Sequence, residues 1–204
     1  VPSKNAAMIW IQPVTLRGAG VRLEPLTHAH HDDLAAAASD GEAWRQWTTS
    51  VPKPDEMNAE IDRRLGLAAA GSMVPFAVLD AGGRAVGMTS YMDIDAPNRR
   101  LEIGSTWYRP SVRRTGLNTE VKRLLLTHAF EDLGAIAVEF RTHYFNHASR
   151  LAIERLGAKL DGVLRNHRLG PEGTIRDSCS YSIIAGEWPT VKVHLAHLQR
   201  RYSF

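Results

Sequence analysis

Between residues 108 and 120 the sequence gathers groups suited to holding an anion. Arg113 and Arg114 come first, then Gly116 and Asn118, and then an apolar stripe at helical spacing: Val121, Leu124, Leu125, His128 and Ala129. A helix that starts just after a glycine offers first-turn N–H groups with no intrahelical acceptor, at the positive end of its dipole. Gly116 admits close approach to the backbone, and the two arginines add charge at the same place. The chemistry this suits is binding of a phosphate or pyrophosphate. The segment lacks the Gly-Lys-Ser/Thr of a Walker loop and the three-glycine spacing of a dinucleotide fingerprint.

Upstream, Glu102 lies in a run over 101–108 that reads as a strand. Strict alternation puts Glu102, Gly104, Thr106 and Tyr108 on one face, with Gly104 leaving room beside the carboxylate. A carboxylate in a cleft can take a proton from a reacting group, directly or through a water. It can equally bind a backbone group or an arginine such as Arg100, and the sequence leaves both roles open.

These groups need elements to hold them. Residues 21–25 alternate as a first strand. Helices are expected over 27–39, with Thr27 as cap, and over 54–70, with Pro54 and Asp55 at the start and Gly71 past the end. Trp44 and Trp47 fall between them, as packing residues or as the lining of a cleft. Strands over 74–79, 85–94 and 101–108, separated by Gly82-Gly83 and Pro97-Asn98, read as an antiparallel meander. A helix over 119–133 follows, with Asn118 able to cap it, then a strand over 136–142 and a helix over 147–156 ended by Gly157. Strands over 160–167 and 178–184 flank a turn containing Gly170, Pro171 and Gly173. Trp188-Pro189 opens a last helix with Val191, Leu195 and Leu198 on one stripe. This order predicts an α/β (α+β) fold, a mixed and mostly antiparallel sheet with helices on both faces. The chain of 204 residues reads as one domain, with residues 1–12 a loose extension.

The ordered set resembles the GNAT superfamily of N-acetyltransferases. That family's loop reads Gln/Arg-x-x-Gly-x-Gly/Ala after a strand ending in Val-x-Pro. Here Tyr108, Arg109 and Pro110 fill the strand end, and Arg113, Gly116 and Asn118 fill the loop, with Asn118 departing from the usual small residue. Asn146 and Ser149, followed by residues 154–158, are similar to the family's Asn-x-x-Ser helix. Arg176-Asp177, Tyr181-Ser182 and Glu187-Trp188-Pro189 resemble the branch of ribosomal-protein N-terminal (alanine/serine) acetyltransferases. The resemblance spans about residues 21–191 and implies direct transfer of acetyl from acetyl-CoA to a primary amine. It implies a cofactor site of Thr106, Trp107, Tyr108, Arg113, Arg114, Thr115, Gly116, Leu117, Asn118 and Asn146. Backbone N–H groups at 106–108 would hold the oxyanion. In the similar N-terminal acetyltransferases a serine at this point is the proposed donor to the leaving thiolate, which implies that role for Ser149; the tyrosine that other relatives carry four residues later is here Ile153. Ser149 as a helix-start residue, and Asn146 as a cap, are the competing structural roles. Another acyl-CoA such as succinyl-CoA, and a CoA-binding regulatory module without turnover, are the alternatives.

Composition narrows the rest. A net charge of +3, with arginine pairs at 63–64, 99–100, 113–114 and 200–201, argues against a nucleic-acid partner. All these pairs except 113–114 read as surface charge. No apolar run approaches the ~20 residues of a membrane span, and no signal peptide is expected. The one cysteine, Cys179, fits a reducing cytoplasm and a buried, inert thiol. Nine histidines show no zinc-like ligand set, so no metal is expected, and His128 reads as a satisfied core residue. The acceptor is expected to be a small-molecule or peptide amine. Family analogy suggests a homodimer through the C-terminal strands, with Trp188 and the last helix as apolar surface.

Overall fold

The computed structural model describes residues 10–170 and 173–202. Eight strands form one sheet: β1 (Leu16–Gly18), β2 (Val21–Pro25), β3 (Met73–Asp80), β4 (Ala85–Asp95), β5 (Arg100–Tyr108), β6 (Ala137–His143), β7 (Lys159–Leu169) and β8 (Ile175–Ile184). Their spatial order is β1-β2-β3-β4-β5-β6-β8-β7. Every neighbouring pair is antiparallel except β5–β6. Parallel neighbours need a crossover. Here it is α3 (Leu117–Thr127), which continues as a π-helical turn, His128–Asp132.

Each face of the sheet has its own core. On one side α1 (His31–Ser39) and α2 (Met57–Ala69) bury Leu34, Met57 and Ile61 against Ala77, Met88 and Trp107. On the other, α3, α4 (His147–Arg155) and α5 (Trp188–Arg200) bury Val121, Leu125, Ile153 and Leu195 against Leu101, Ile103 and Phe140. The expected elements are present, and β1 is an addition that no alternation announced at three residues long.

Several local expectations are corrected. Ile11, assigned to the loose extension, is 3% exposed in the core, and Trp10 Nε1 donates to the Leu133 carbonyl at 3.0 Å; residues 1–9 lie outside the described residues. Asn118 does not cap α3. Gly116 does, in the left-handed region at φ +87°, and Asn118 falls in the first turn. Trp188 is buried rather than surface, stacked 5.2 Å from Phe130 and donating to Glu131 Oε1 at 2.8 Å. Pro171 of the β7–β8 turn lies outside the described residues. Cys179 is buried, as expected.

Candidate active site

The site is built where β5 stops pairing with β6. The two strands share rungs only at Arg100, Leu101 and Glu102, opposite Ala137, Val138 and Glu139. Beyond Glu102 they diverge and leave an opening in the sheet. A bulge sits at the same place. Ser90 pairs with Gly104 and Met88 with Trp107, so two steps on β4 match three on β5, and Ser105 takes φ +50°. The extra residue reverses the alternation. Glu102 and Gly104 therefore share a face with Trp107, while Thr106 and Tyr108 turn to the α3 side; the four-residue face expected from strict alternation is corrected. The N–H of Arg109 donates to Val86 on β4, so alternation directs the N–H groups of Thr106 and Tyr108 into the opening. Those are oxyanion donors in form.

Arg64 supports the bulge from the α2 side. It is 1% exposed; Nε donates to Glu60 at 2.6 Å, Nη1 to Ser90 Oγ at 3.1 Å and Nη2 to the Ser105 carbonyl at 2.9 Å. It is not the surface charge its pairing with Arg63 suggested. Its signal was its place in the stripe Met57, Ile61, Arg64.

Glu102 is 5% exposed. Gly104 does leave room beside it: a Cβ there would come 2.8 Å from Glu102 Oε1. Burial pushes the carboxyl up to about 7, against the pull of Arg141, whose Nη1 lies 3.4 Å away. Arg100 is not its partner; that guanidinium pairs with Glu139. Glu102 Oε2 accepts no hydrogen bond among the described residues. A carboxyl that titrates near neutrality, its Oε2 facing the Arg141 guanidinium without a hydrogen bond, suits proton removal.

The loop expected to hold an anion leads from β5 through a short 3-10 turn, Pro110–Val112, to α3. Arg114 is at φ +64°, and Thr115 Oγ1 donates to the Val112 carbonyl at 2.7 Å. Arg113 and Arg114 are exposed, and neither forms an ion pair among the described residues. The first-turn N–H groups of Leu117 and Asn118 have no intrahelical acceptor. Gly116 is needed for its backbone angle, and its open side is filled from within. A Cβ there would lie 2.7 Å from the Tyr202 ring, and its carbonyl accepts from Gln199 Nε2 at 3.3 Å.

Asn146 caps α4, accepting from the Ser149 N–H at 3.1 Å. Ser149 is half-buried in the first turn, and its hydroxyl makes no hydrogen bond among the described residues. Trp44 packs against the α1–α2 core, whereas Trp47 is 65% exposed and meets His143, at the end of β6, edge-on at 4.8 Å. His128 Nδ1 meets Asp132 at 2.8 Å. Among the described residues no group of three or more His, Cys, Asp or Glu is arranged to hold a metal, and no helix is long and apolar enough to cross a membrane.

A mixed sheet opened between its two parallel strands, with a glycine-capped helix start following β5, is the architecture of an acyltransferase. The profile of the acetyltransferase (GNAT) domain matches residues 21–159, and the chain belongs to that family. It is similar to YdaF of Bacillus subtilis (strain 168), a protein whose name assigns it provisionally to the ribosomal N-acetyltransferases. They are 34% identical over 106 residues, 52% of this chain and 57% of YdaF, so the match spans little more than half of that relative. A GCN5-related N-acetyltransferase from Brucella melitensis superposes with TM-score 0.83 at 31% identity, covering 92% of this chain and 86% of that one. RimL, a ribosomal L7/L12 α-N-protein acetyltransferase solved with coenzyme A, shares the fold with TM-score 0.71 at 18% identity, over 84% and 98% of the two chains.

Proposed function

We propose that this chain transfers the acetyl group of acetyl-CoA to a primary amine by direct attack. The observation that carries the reading is Glu102: a buried carboxyl near neutrality, beside the opening in the sheet that the anion loop overlooks. In this reading Arg113, Arg114, Thr115, Gly116, Leu117 and Asn118 hold the pyrophosphate, and the rest of the donor lies between β5 and β6. Glu102 removes the proton of the acceptor ammonium. The amine attacks the thioester carbonyl, and the N–H groups of Thr106 and Tyr108 receive the oxyanion. Trp107 fixes the bulge from the α2 side, and Asn146 shapes the end of the donor channel. Ser149 stands at the α4 start as the candidate donor to the thiolate.

The name of YdaF supports a ribosomal amine as acceptor, and we take the reaction to be cytoplasmic. A homodimer through β7 is part of the proposal. β7 is the sheet's last strand, and Leu160, Leu164 and Leu169 on it are exposed. The test is thiol release from acetyl-CoA and succinyl-CoA against an amine panel that includes short peptides. Amine-dependent release with acetyl-CoA is expected. Binding of acetyl-CoA without release under any amine would favour the regulatory module instead.

A further inference from the structure

Lys122 is a cation inside the sheet's α3-side core. It is 6% exposed, and Nζ lies 2.9 Å from Thr106 Oγ1 and 3.5 Å from Thr89 Oγ1. The two hydroxyls are 2.7 Å apart. The ammonium also stands 6.0 Å above the centre of the Phe140 ring. Thr106 is on β5 past its last rung with β6, and Phe140 is the first residue of β6 past the same rung. Lys122 Nζ therefore lies at the floor of the opening between the strands, on the side opposite Glu102.

No carboxylate pairs with Lys122 among the described residues. The charges of the surrounding elements are engaged with one another. Glu120 and Arg123, on its own helix, pair at 2.6 Å. On β6, Glu139 pairs with Arg100, and Arg141 with Glu139, Asp93 and Glu102. Tyr91 of β4 and Tyr108 of β5 are held protonated by burial. From α5, Gln199 is turned to Glu120. Only Glu102, across the sheet, acts on Lys122 as an opposite charge. A buried ammonium with two hydroxyls and no counter-ion is costly unless it gives up its proton or negative charge comes to it. A methionine would fill the same space without that cost.

We propose that Lys122 is the cation that stabilises the negative charge developing on the acyl donor, first on the carbonyl oxygen and then on the departing CoA sulfur. This rests on the acetyl-transfer reading above. The amine nitrogen forms the new C–N bond and the carbonyl π pair moves to oxygen. The ammonium proton has already left through Glu102 to solvent; the second N–H proton then goes to Glu102, the oxyanion's pair re-forms the C=O bond, and the C–S bonding pair leaves on sulfur. Lys122 moves no proton; it supplies field in a low-dielectric floor. Burial draws the ammonium down to about 7, so the productive pairing is Glu102 ionised and Lys122 protonated. The rate then rises with pH as Glu102 ionises and falls as Lys122 is neutralised.

The experiment compares wild type with Lys122→Met at saturating acetyl-CoA and a verified amine acceptor, as a function of pH. Expected are a fall in kcat of ~100-fold, as for loss of one preorganised donor, and a KM for acetyl-CoA within ~3-fold of wild type, since the charge it meets develops in the transition state. The alkaline fall in kcat is expected to vanish. A lysine that only packs would leave that limb in place. Wild-type kcat without an alkaline fall overturns the proposal and needs no variant that folds. A variant with wild-type kcat and profile also overturns it, while leaving acetyl transfer standing. Absence of amine-dependent thiol release by wild type removes both.

Discussion

Arg64 and Lys122 approach β5 from opposite sides of the sheet, both buried and both cationic, yet their surroundings differ. Arg64 has a carboxylate, a hydroxyl and a carbonyl at 2.6–3.1 Å. Lys122 has two hydroxyls, the nearer at 2.9 Å. The first cation is saturated by the protein and fixes the bulge; the second is left with charge to spend on what enters the opening. A fully satisfied buried charge is scaffold, and a partly satisfied one at a cleft is a candidate for chemistry. Glu102 belongs with Lys122 in this sense, with one oxygen that accepts no hydrogen bond.

The contrast predicts opposite effects of removing the two cations. Arg64→Met strands the Ser90 hydroxyl and the Ser105 carbonyl, while Glu60 keeps its pair with Arg63. It should cost about 1–3 kcal/mol, as unsatisfied buried polar groups do, and lower the thermal midpoint by roughly 5 °C for a chain of this size. Calorimetry checks this, and an unchanged midpoint would break the comparison. Lys122→Met should leave the midpoint equal or higher, because it removes an unneutralised buried charge.

The anion loop gives the next largest effect. Arg113→Glu with Arg114→Glu should weaken acetyl-CoA binding by ~10-fold or more and leave the fold intact, since both side chains are exposed. Titration calorimetry reads it. Gly116→Glu is the poorer test, because its side chain would run into Tyr202 at a left-handed backbone position.

Stability should also track pH. The folded carboxyl of Glu102 titrates near 7, above its ordinary 4.5, so the folded state binds more protons between those values. Stability should therefore fall as pH rises through that window. Glu102→Gln should remove this part of the slope in urea unfolding, while Arg141 keeps Asp93 and Glu139. A slope unchanged in the variant would show that Glu102 is not the group responsible. Ser149→Ala is expected to give the smallest effect, within ~3-fold in kcat, because a thiolate leaves readily without a donor.

The sequence reveals the loop and the meander because both depend on local signals: a glycine before a helical stripe, and turn residues between alternating runs. The bulge at Ser105 was invisible, since nothing in residues 101–108 marks an extra residue, and so the sides taken by Thr106 and Tyr108 came out wrong. Arg64 and Lys122 are not legible by residue type, because charged side chains read as surface. The period held the clue, Arg64 three after Ile61 and Lys122 three before Leu125. The C-terminal contact on Gly116 joins residues more than eighty apart, and no local pattern carries such a pairing.

The most direct test of the central claim is the pH dependence of kcat for wild type and Glu102→Gln, with saturating acetyl-CoA and a verified acceptor. Glutamine keeps the shape and removes the basic oxygen. The account predicts that wild-type kcat rises on the acid side as Glu102 ionises, before the alkaline fall set by Lys122, and that the variant is lower by ~100-fold with no acid-side rise. Full kcat in Glu102→Gln from about pH 6 to 9 would contradict it and make Glu102 a structural residue, with the proton leaving by another route.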